Sequence, residues 1–363
     1  FDSDRRSEGL QQGGQLATWV ALLAGWLILA WPWISGRYAI PYDAEAEFLP
    51  QLQFLAASLH RGDSPFWTQN IFSGHPQIAD PQSLIFAPPY LALAAFDAAP
   101  TGWAMDVTLF VVILAGAAAM LQWTLDRGWH PAAGVAAALS FAFGAAMAWR
   151  IQHIGQVMSL AYLPVTLLLL DRALERRSAA YGAAAGVVAA LLVLGRDQVA
   201  LILVYLLIAY VIWRIVSTNG VRTAIAGAIR PLLAAAATGA LIVTLPVMMS
   251  AMVTAQSNRP AIDLDGAGFG SLHPARLLTW FAADVFDASE MWGGHWGPPS
   301  GRWPAHLFLA QNMGQLYAGA LVALLLVLGF VSGAAWRRDL KFFAVALVVV
   351  GLYALGRYTP VFG

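Results

Sequence analysis

Three carboxylates stand at alternate positions in Tyr42-Asp43-Ala44-Glu45-Ala46-Glu47. Extended backbone would place Asp43, Glu45 and Glu47 on one face, and helical backbone would bring Asp43 and Glu47 together. The segment closely follows an apolar run, Leu16–Ile34. At the edge of an apolar medium the ionised form of a carboxylate is disfavoured, which moves its pKa toward the range of a general base. The chemistry open to these residues is a catalytic base joined by a carboxylate that holds a metal or sugar hydroxyls. The plainer alternative is a solvated loop in which Asp43 caps the helix that follows.

Downstream, Trp67, His75, Gln77, Asp80 and Gln82 are spaced among turn-forming Gly and Pro residues. They offer a ring and hydrogen-bonding groups suited to a sugar or to closing a water-excluded pocket. Arg61-Gly62-Asp63 reads as a turn rather than an adhesion motif. Four further residues, Arg150, His153, Arg196 and Arg259, are candidates for a phosphate, because guanidinium stays charged and its fork fits oxyanions. The alternatives are a snorkelling side chain for Arg150 and a simple loop pair for Arg196 and Asp197. Further on stand Asp263, Asp265, His273, Asp284, Asp287, Glu290, His295 and His306. The three-residue steps from Asp284 to Asp287 to Glu290 would share a helical face and leave a divalent ion, Mg or Mn, open as a cofactor. Gly293-Gly294 and Pro298-Pro299 interrupt any helix soon afterwards, and there is no His-Glu-x-x-His zinc motif. Structural loop contacts are therefore the default for this group, and no metal ligands are assigned.

The elements that must position these residues are apolar helices. The 363 residues are 59% hydrophobic and 11% charged, against about 25% charged in soluble domains. An ordinary soluble enzyme is excluded. Twenty basic against 20 acidic residues leave no positive field for nucleic acid. The absence of Cys removes disulfides, thiolate metal sites and a cysteine nucleophile. A spanning helix needs about 20 mostly apolar residues. Nine segments qualify: Leu16–Ile34, Met105–Leu125, Pro131–Trp149, Met158–Leu174, Ala180–Leu194, Val199–Val216, Pro231–Val253, Leu316–Val331 and Phe342–Leu355, the fifth and ninth being short. Ser83–Phe96, with Pro88 and Pro89, reads as a re-entrant or interfacial piece. Phe48 to Leu59 carries apolar residues at Phe48, Leu52, Leu55 and Leu59, a one-faced interfacial helix that stops at Arg61-Gly62. Gly182 and Gly186 are spaced for close helix packing.

With Arg5 and Arg6 cytoplasmic, 12 basic residues lie inside and eight outside, while 13 of the 20 carboxylates lie outside. This follows the positive-inside rule. Two long loops, 35–104 and 254–315, then face outward, and their Trp, Pro, Gly and His content favours order. The expectation is one transmembrane domain over 1–363, with both ends cut from a longer chain.

The first loop resembles the N-terminal half of the YfhO-like bacterial membrane proteins of the GT-C glycosyltransferase superfamily. The likeness runs through an aspartate after the first span, Phe48-x-Pro50, Gly62-Asp63-x-Pro65-x-Trp67, Gly74-x-Pro76, Asp80-Pro81-Gln82-Ser83 and Phe86-x-Pro88-Pro89. Gly356-Arg357-Tyr358-Thr359-Pro360, Ser257-Asn258-Arg259 and Tyr317-Ala318-Gly319 are similar to later elements of that family. The resemblance implies an all-α polytopic membrane protein that takes a sugar from a polyprenyl-phosphate donor. Transfer would occur with inversion to a lipid-linked or cell-envelope acceptor, on the outer face of a bacterial inner membrane. It also implies that Asp43 is the reactive first-loop acid. Superfamily members often carry adjacent acids where this chain has Asp43-Ala44-Glu45, and the family often has Gly-His-x-Gln where this chain has Gly195-Arg196-Asp197-Gln198. The implied partners are a polyprenyl-phosphate-linked sugar and membrane lipids. The rival expectation is a non-catalytic subunit with protein partners in a membrane complex.

Overall fold

The computed structural model describes residues 2–80, 82–195, 198–258, 263–283, 285–286, 296–298, 314–360 and 362. Seven of their helical segments are long and apolar enough to cross a membrane, and two shorter apolar helices accompany them. Among the described residues there is no strand, only an isolated antiparallel bridge between Thr68 and His75. The chain is an all-helical, multi-pass membrane protein. It divides into two compact units, one of residues 1–142 and 150–257, the other of residues 143–149 and 258–363.

In the first unit α1 (Asp2–Ile34) is followed by a π-helical turn, Ala44–Phe48, that runs into α2 (Leu49–Arg61). Phe48, Leu52, Leu55 and Ala56 are all 2% exposed or less. That is the apolar face expected of this helix, except that Leu59 turns outward and Ala56 takes its place. Gly62 ends α2 at φ +72, a left-handed cap that favours glycine. Arg61 pairs with Asp63 at 2.7 Å across this exposed turn. The double-proline segment forms α3 (Pro88–Phe96), nine residues long and too short to span. It packs beside α2, where His60 Nε2 meets the Ala94 carbonyl at 3.2 Å.

The transmembrane part of this unit is α1 from Gly14 onward, α4 (Gly102–Asp126), α5 (Pro131–Phe143), α7 (Ile154–Glu175), the shorter α8 (Ala179–Val193), α9 (Gln198–Val216) and α10 (Val221–Ala255). The expected third span, Pro131–Trp149, is interrupted at Gly144. The four residues beyond it, α6 (Ala145–Ala148), belong to the second unit. Gly182 and Gly186 do bring helices together. A Cβ at either would lie 2.1 Å from a carbonyl oxygen of α10, that of Pro231 or Ala235. Thr238 locks the contact by donating its hydroxyl to the Ala183 carbonyl at 3.0 Å. The remainder of α10 is largely exposed, with Leu233 and Leu241 on its surface, as lipid-facing residues must be in a chain whose solvent there is hydrocarbon.

A polar cluster closes one end of this bundle. Asp171 of α7 accepts from Tyr210 and Trp123 and pairs with Arg127 and Arg214, the latter at 3.0 Å. Arg214 also reaches Glu175 at 2.7 Å. Buried carboxylates need such partners, and Asp171 finds them on α4, α9 and the turn after α4.

The second unit holds α6, α11 (Leu264–Ala267), α12 (Ala320–Val331) and α13 (Arg338–Leu355). The eighth expected span, from Leu316, starts only at Ala320. Gly319 at φ +114 turns the chain immediately before it, and the Tyr317 carbonyl accepts the N–H of Ala145 at 2.7 Å. The ninth, expected to be short, has 18 residues. Gly356, at φ +47, packs so tightly that a Cβ would meet Ser271 Oγ at 2.3 Å. Ser271 Oγ accepts the Arg357 N–H at 3.1 Å, and the rings of His273 and Tyr358 meet edge-on at 5.1 Å. The Gly-x-Tyr stretch thus anchors the second loop. Arg276, wholly buried, donates to the Pro298 carbonyl at 2.7 Å and lies over Phe286.

Candidate functional site

The first loop carries four of the five non-glycine residues with left-handed backbone among those described: Tyr42, Phe72, Ser73 and Leu84. Each such residue costs ~1–3 kcal/mol and persists only where its surroundings hold it. Here Tyr42, at φ +60, turns the chain immediately ahead of Asp43.

Asp43 opens the π-helical turn but makes no side-chain capping bond. The capping alternative is therefore not what occupies its carboxylate. Oδ2 of Asp43 instead lies 3.1 Å from Nδ1 of His153, with the two side chains 42% and 22% exposed. The residues expected to serve as base and as phosphate ligand form one pair. His153 stands immediately before α7, in a turn closed by its N–H to the Arg150 carbonyl at 2.7 Å. Arg150 is half-buried in the same turn.

Of the other two acids, Glu47 is half-buried and Glu45 is exposed. Burial raises the Glu47 pKa, and the nearby carboxylates of Asp43 and Asp80 raise it further. Glu47 thus lies within electrostatic reach of both Asp43 and Asp80. The π turn matters here, because its wider winding carries Ala44 fully into the core at 0% exposed, so an acid at that position would be buried. Glu47, not Glu45, stands as the second acid beside Asp43.

Asp80 is fixed from several directions. Its Oδ2 lies 3.2 Å from His75 Nε2, and its Oδ1 accepts the Gln82 N–H at 2.8 Å. The backbone bonds between Thr68 and His75, at 3.0 and 2.8 Å, hold the other side of the turn. Ser250 of α10 donates to the Ala79 carbonyl at 2.8 Å, pinning the loop to the bundle. Trp67 is 54% exposed and lies against Gly74, where a Cβ would come within 2.6 Å of its ring. Gln77 is buried and Gln82 exposed. Of the expected sugar-contacting residues, the structure joins His75 with Asp80, presents Trp67 and Gln82 outward, and folds Gln77 inward.

Next to the turn that holds His153, Gly155 approaches Gly195, a Cβ at Gly155 lying 3.8 Å from Gly195 Cα. Gly155, Met158, Tyr162, Leu194 and Gly195 line a small apolar recess together with Leu84, Phe86 and Pro88. Pro88, Tyr162 and Leu191 also border a larger cleft of about 450 Å³ between α3, α4, α7 and α8, lined otherwise by Val107, Thr108, Val111 and other apolar side chains. The cleft is suited to an apolar chain rather than to a polar ligand.

Arg196 and Arg259 lie outside the described residues, as do Asp284, Asp287, Glu290, His295 and His306. In the second loop Asp263 caps α11 by accepting the Gly266 N–H at 2.7 Å, and His273 Nδ1 accepts the Ala275 N–H at 3.2 Å. Both side chains make local loop contacts. Among the described residues no three acid or histidine side chains gather as a metal ion would require.

Two buried acids escaped the reading of the sequence as sites: Asp106 in α4 and Asp171 in α7. The signal was present, since an ionisable residue within an apolar span marks a paired or functional position. Comparison with family models, with curated proteins and with solved structures gives no match.

Proposed function

We propose that the chain is a membrane glycosyltransferase of the GT-C type. It takes a sugar from a polyprenyl-phosphate donor and passes it to a lipid-linked or cell-envelope acceptor on the non-cytoplasmic face of a bacterial inner membrane. The observation that carries this reading is the Asp43–His153 pair at 3.1 Å. It stands at the end of α7 beside a run of apolar recess and cleft that begins at Gly155 and Gly195. A lipid-phosphate donor is a charged head on an apolar tail, and this end of the bundle offers partners for both.

In the proposed reaction Asp43 takes the acceptor hydroxyl proton as the acceptor oxygen attacks the sugar C1 and the C1–O bond to phosphate breaks. Polyprenyl phosphate leaves with that electron pair. Arg150, together with Arg196, is assigned to its charge, because a phosphate next to lipid needs a fixed cation with forked donors. Glu47, close to both Asp43 and Asp80, is assigned to sugar hydroxyls, and Trp67 to the sugar's apolar face. His153 stands just ahead of α7, and Asp171 lies 18 residues further along, near the other end of that helix. At 1.5 Å per residue that is about 27 Å, close to the thickness of the hydrocarbon layer, which supports assigning the acid–histidine pair and the arginine cluster to opposite faces.

The test is transfer by the purified chain in lipid nanodiscs, supplied with radiolabelled polyprenyl-phosphate sugars and membrane-extracted acceptor lipids. Label should move to the acceptor from a lipid-phosphate donor and not from a nucleotide sugar. Absence of transfer from every lipid-phosphate sugar supplied, in a chain that is folded by its thermal melt, would refute the proposal.

A further inference from the structure

The acids of the first loop do not explain one more acid that lies behind them. Asp106 sits in the second turn of α4 and is 2% exposed. Its Oδ2 accepts the backbone N–H of Ile40 at 3.0 Å, across 66 residues of sequence. Its Oδ1 is buried and has no hydrogen-bond partner among the described residues. A buried carboxyl oxygen without a partner is unfavourable. An apolar residue would fill the same space without that penalty, so packing alone gives no reason for an acid here.

What the acid does hold is the approach to Asp43. Ile40 is wholly buried, and only Pro41 and Tyr42 separate it from Asp43. Three extended residues reach at most ~11 Å. Pro41 fixes its own φ and has no N–H to offer. Tyr42 is in the left-handed region at φ +60, a conformation that must be imposed from outside. The bond from Ile40 to Asp106 is the fixed point immediately before that strained turn. Release of Ile40 would let Tyr42 relax toward ordinary backbone and swing Asp43 away from His153.

We infer that Asp106 is a positioning residue for Asp43, acting through the Ile40 N–H and the Tyr42 turn. The inference rests on the reading of Asp43 as the base of the proposed transferase. The chain has no cysteine, so spin labels can be placed without background. One label pair, Ala46→Cys with Gln152→Cys, reports the geometry of the Asp43–His153 region. A second, Arg177→Cys with Thr218→Cys, lies at the other end of the bundle as a control for the fold. Both are measured by double electron–electron resonance on the full chain in nanodiscs, beside the rate of sugar transfer.

Asp106→Leu should broaden the first distance distribution, leave the control pair narrow, and slow transfer about tenfold or more, as small misplacements of reacting groups do. Asp106→Asn keeps an oxygen for the Ile40 N–H and should restore both the narrow distribution and most of the rate. If Asp106→Leu leaves the first pair unchanged, or broadens the control pair equally, the positioning role is overturned. If the Asn variant fails to rescue, the backbone tether is not what matters and the inference is overturned as well. Broadening and rescue as expected, in a protein that transfers no sugar even as wild type, would uphold the tether while refuting the transferase.

Discussion

Replacing Asp43 by Asn separates a base from a structural residue more cleanly than any other change in this chain. The structure sets the stability side. Asp43 makes no capping bond that could be lost. Its contact with His153 at 3.1 Å joins side chains that are 42% and 22% exposed, and solvent-screened pairs of this kind contribute about 0–1 kcal/mol. Asn retains an oxygen that can meet the imidazole. The expected loss of stability is therefore below ~1 kcal/mol, a shift of roughly 2 °C or less in the melting temperature. The activity side is larger. An amide cannot take the acceptor proton, and loss of a general base slows a reaction ~100-fold or more, or about 2.7 kcal/mol in the barrier. The assay is the initial rate of transfer in nanodiscs over a series of donor concentrations, with a thermal melt of the same preparation. The rate should fall at least ~100-fold with the melt nearly unmoved, whereas Glu45→Gln, at an exposed position, should change the rate far less. An Asn variant that transfers near the wild-type rate, or that unfolds several degrees earlier, would refute the reasoning.

Two further outcomes follow from the charges. Asp171→Asn leaves Arg127 and Arg214 without their shared carboxylate, and loss of one partner from a buried pair costs about 3–5 kcal/mol. The variant should melt markedly earlier, and an unchanged melting temperature would remove the cluster's structural role. Burial and the carboxylates of Asp43 and Asp80 raise the Glu47 pKa above its ordinary 4.5, so the folded chain holds this proton more tightly than the unfolded one. Stability from this group is complete below pH 4.5 and declines as pH rises through the raised value. Glu47→Gln should therefore melt later than wild type near pH 7 and together with it at pH 4, in melts run across that range. A constant difference over the whole range would show that Glu47 ionisation is not responsible.

The membrane class, the helical character and the position of the loop acids were legible in the residues alone, because long apolar runs have few alternatives once water is absent. Gly182 and Gly186 announced a close helix contact, and the structure supplies it against Pro231 and Ala235. Asp43 could be read as a reactive acid, but not its partner. His153 lies 110 residues further on, and only the folding of the first loop against the start of α7 brings the two within 3.1 Å. Local spacing could not tell that the turn after Asp43 would be π-helical, with Ala44 buried and Glu47 within electrostatic reach of Asp43. Nor could it tell that the third span would be interrupted at Gly144 or that the eighth helix would start late at Ala320, where the Ala145 N–H meets the Tyr317 carbonyl at 2.7 Å across 172 residues of sequence. Periodicity reports which side of a helix is apolar. Which carboxylate a distant backbone N–H or arginine will meet is a matter of tertiary packing, and Asp106 and Asp171, mere acids within apolar spans when read in sequence, acquired their roles only there.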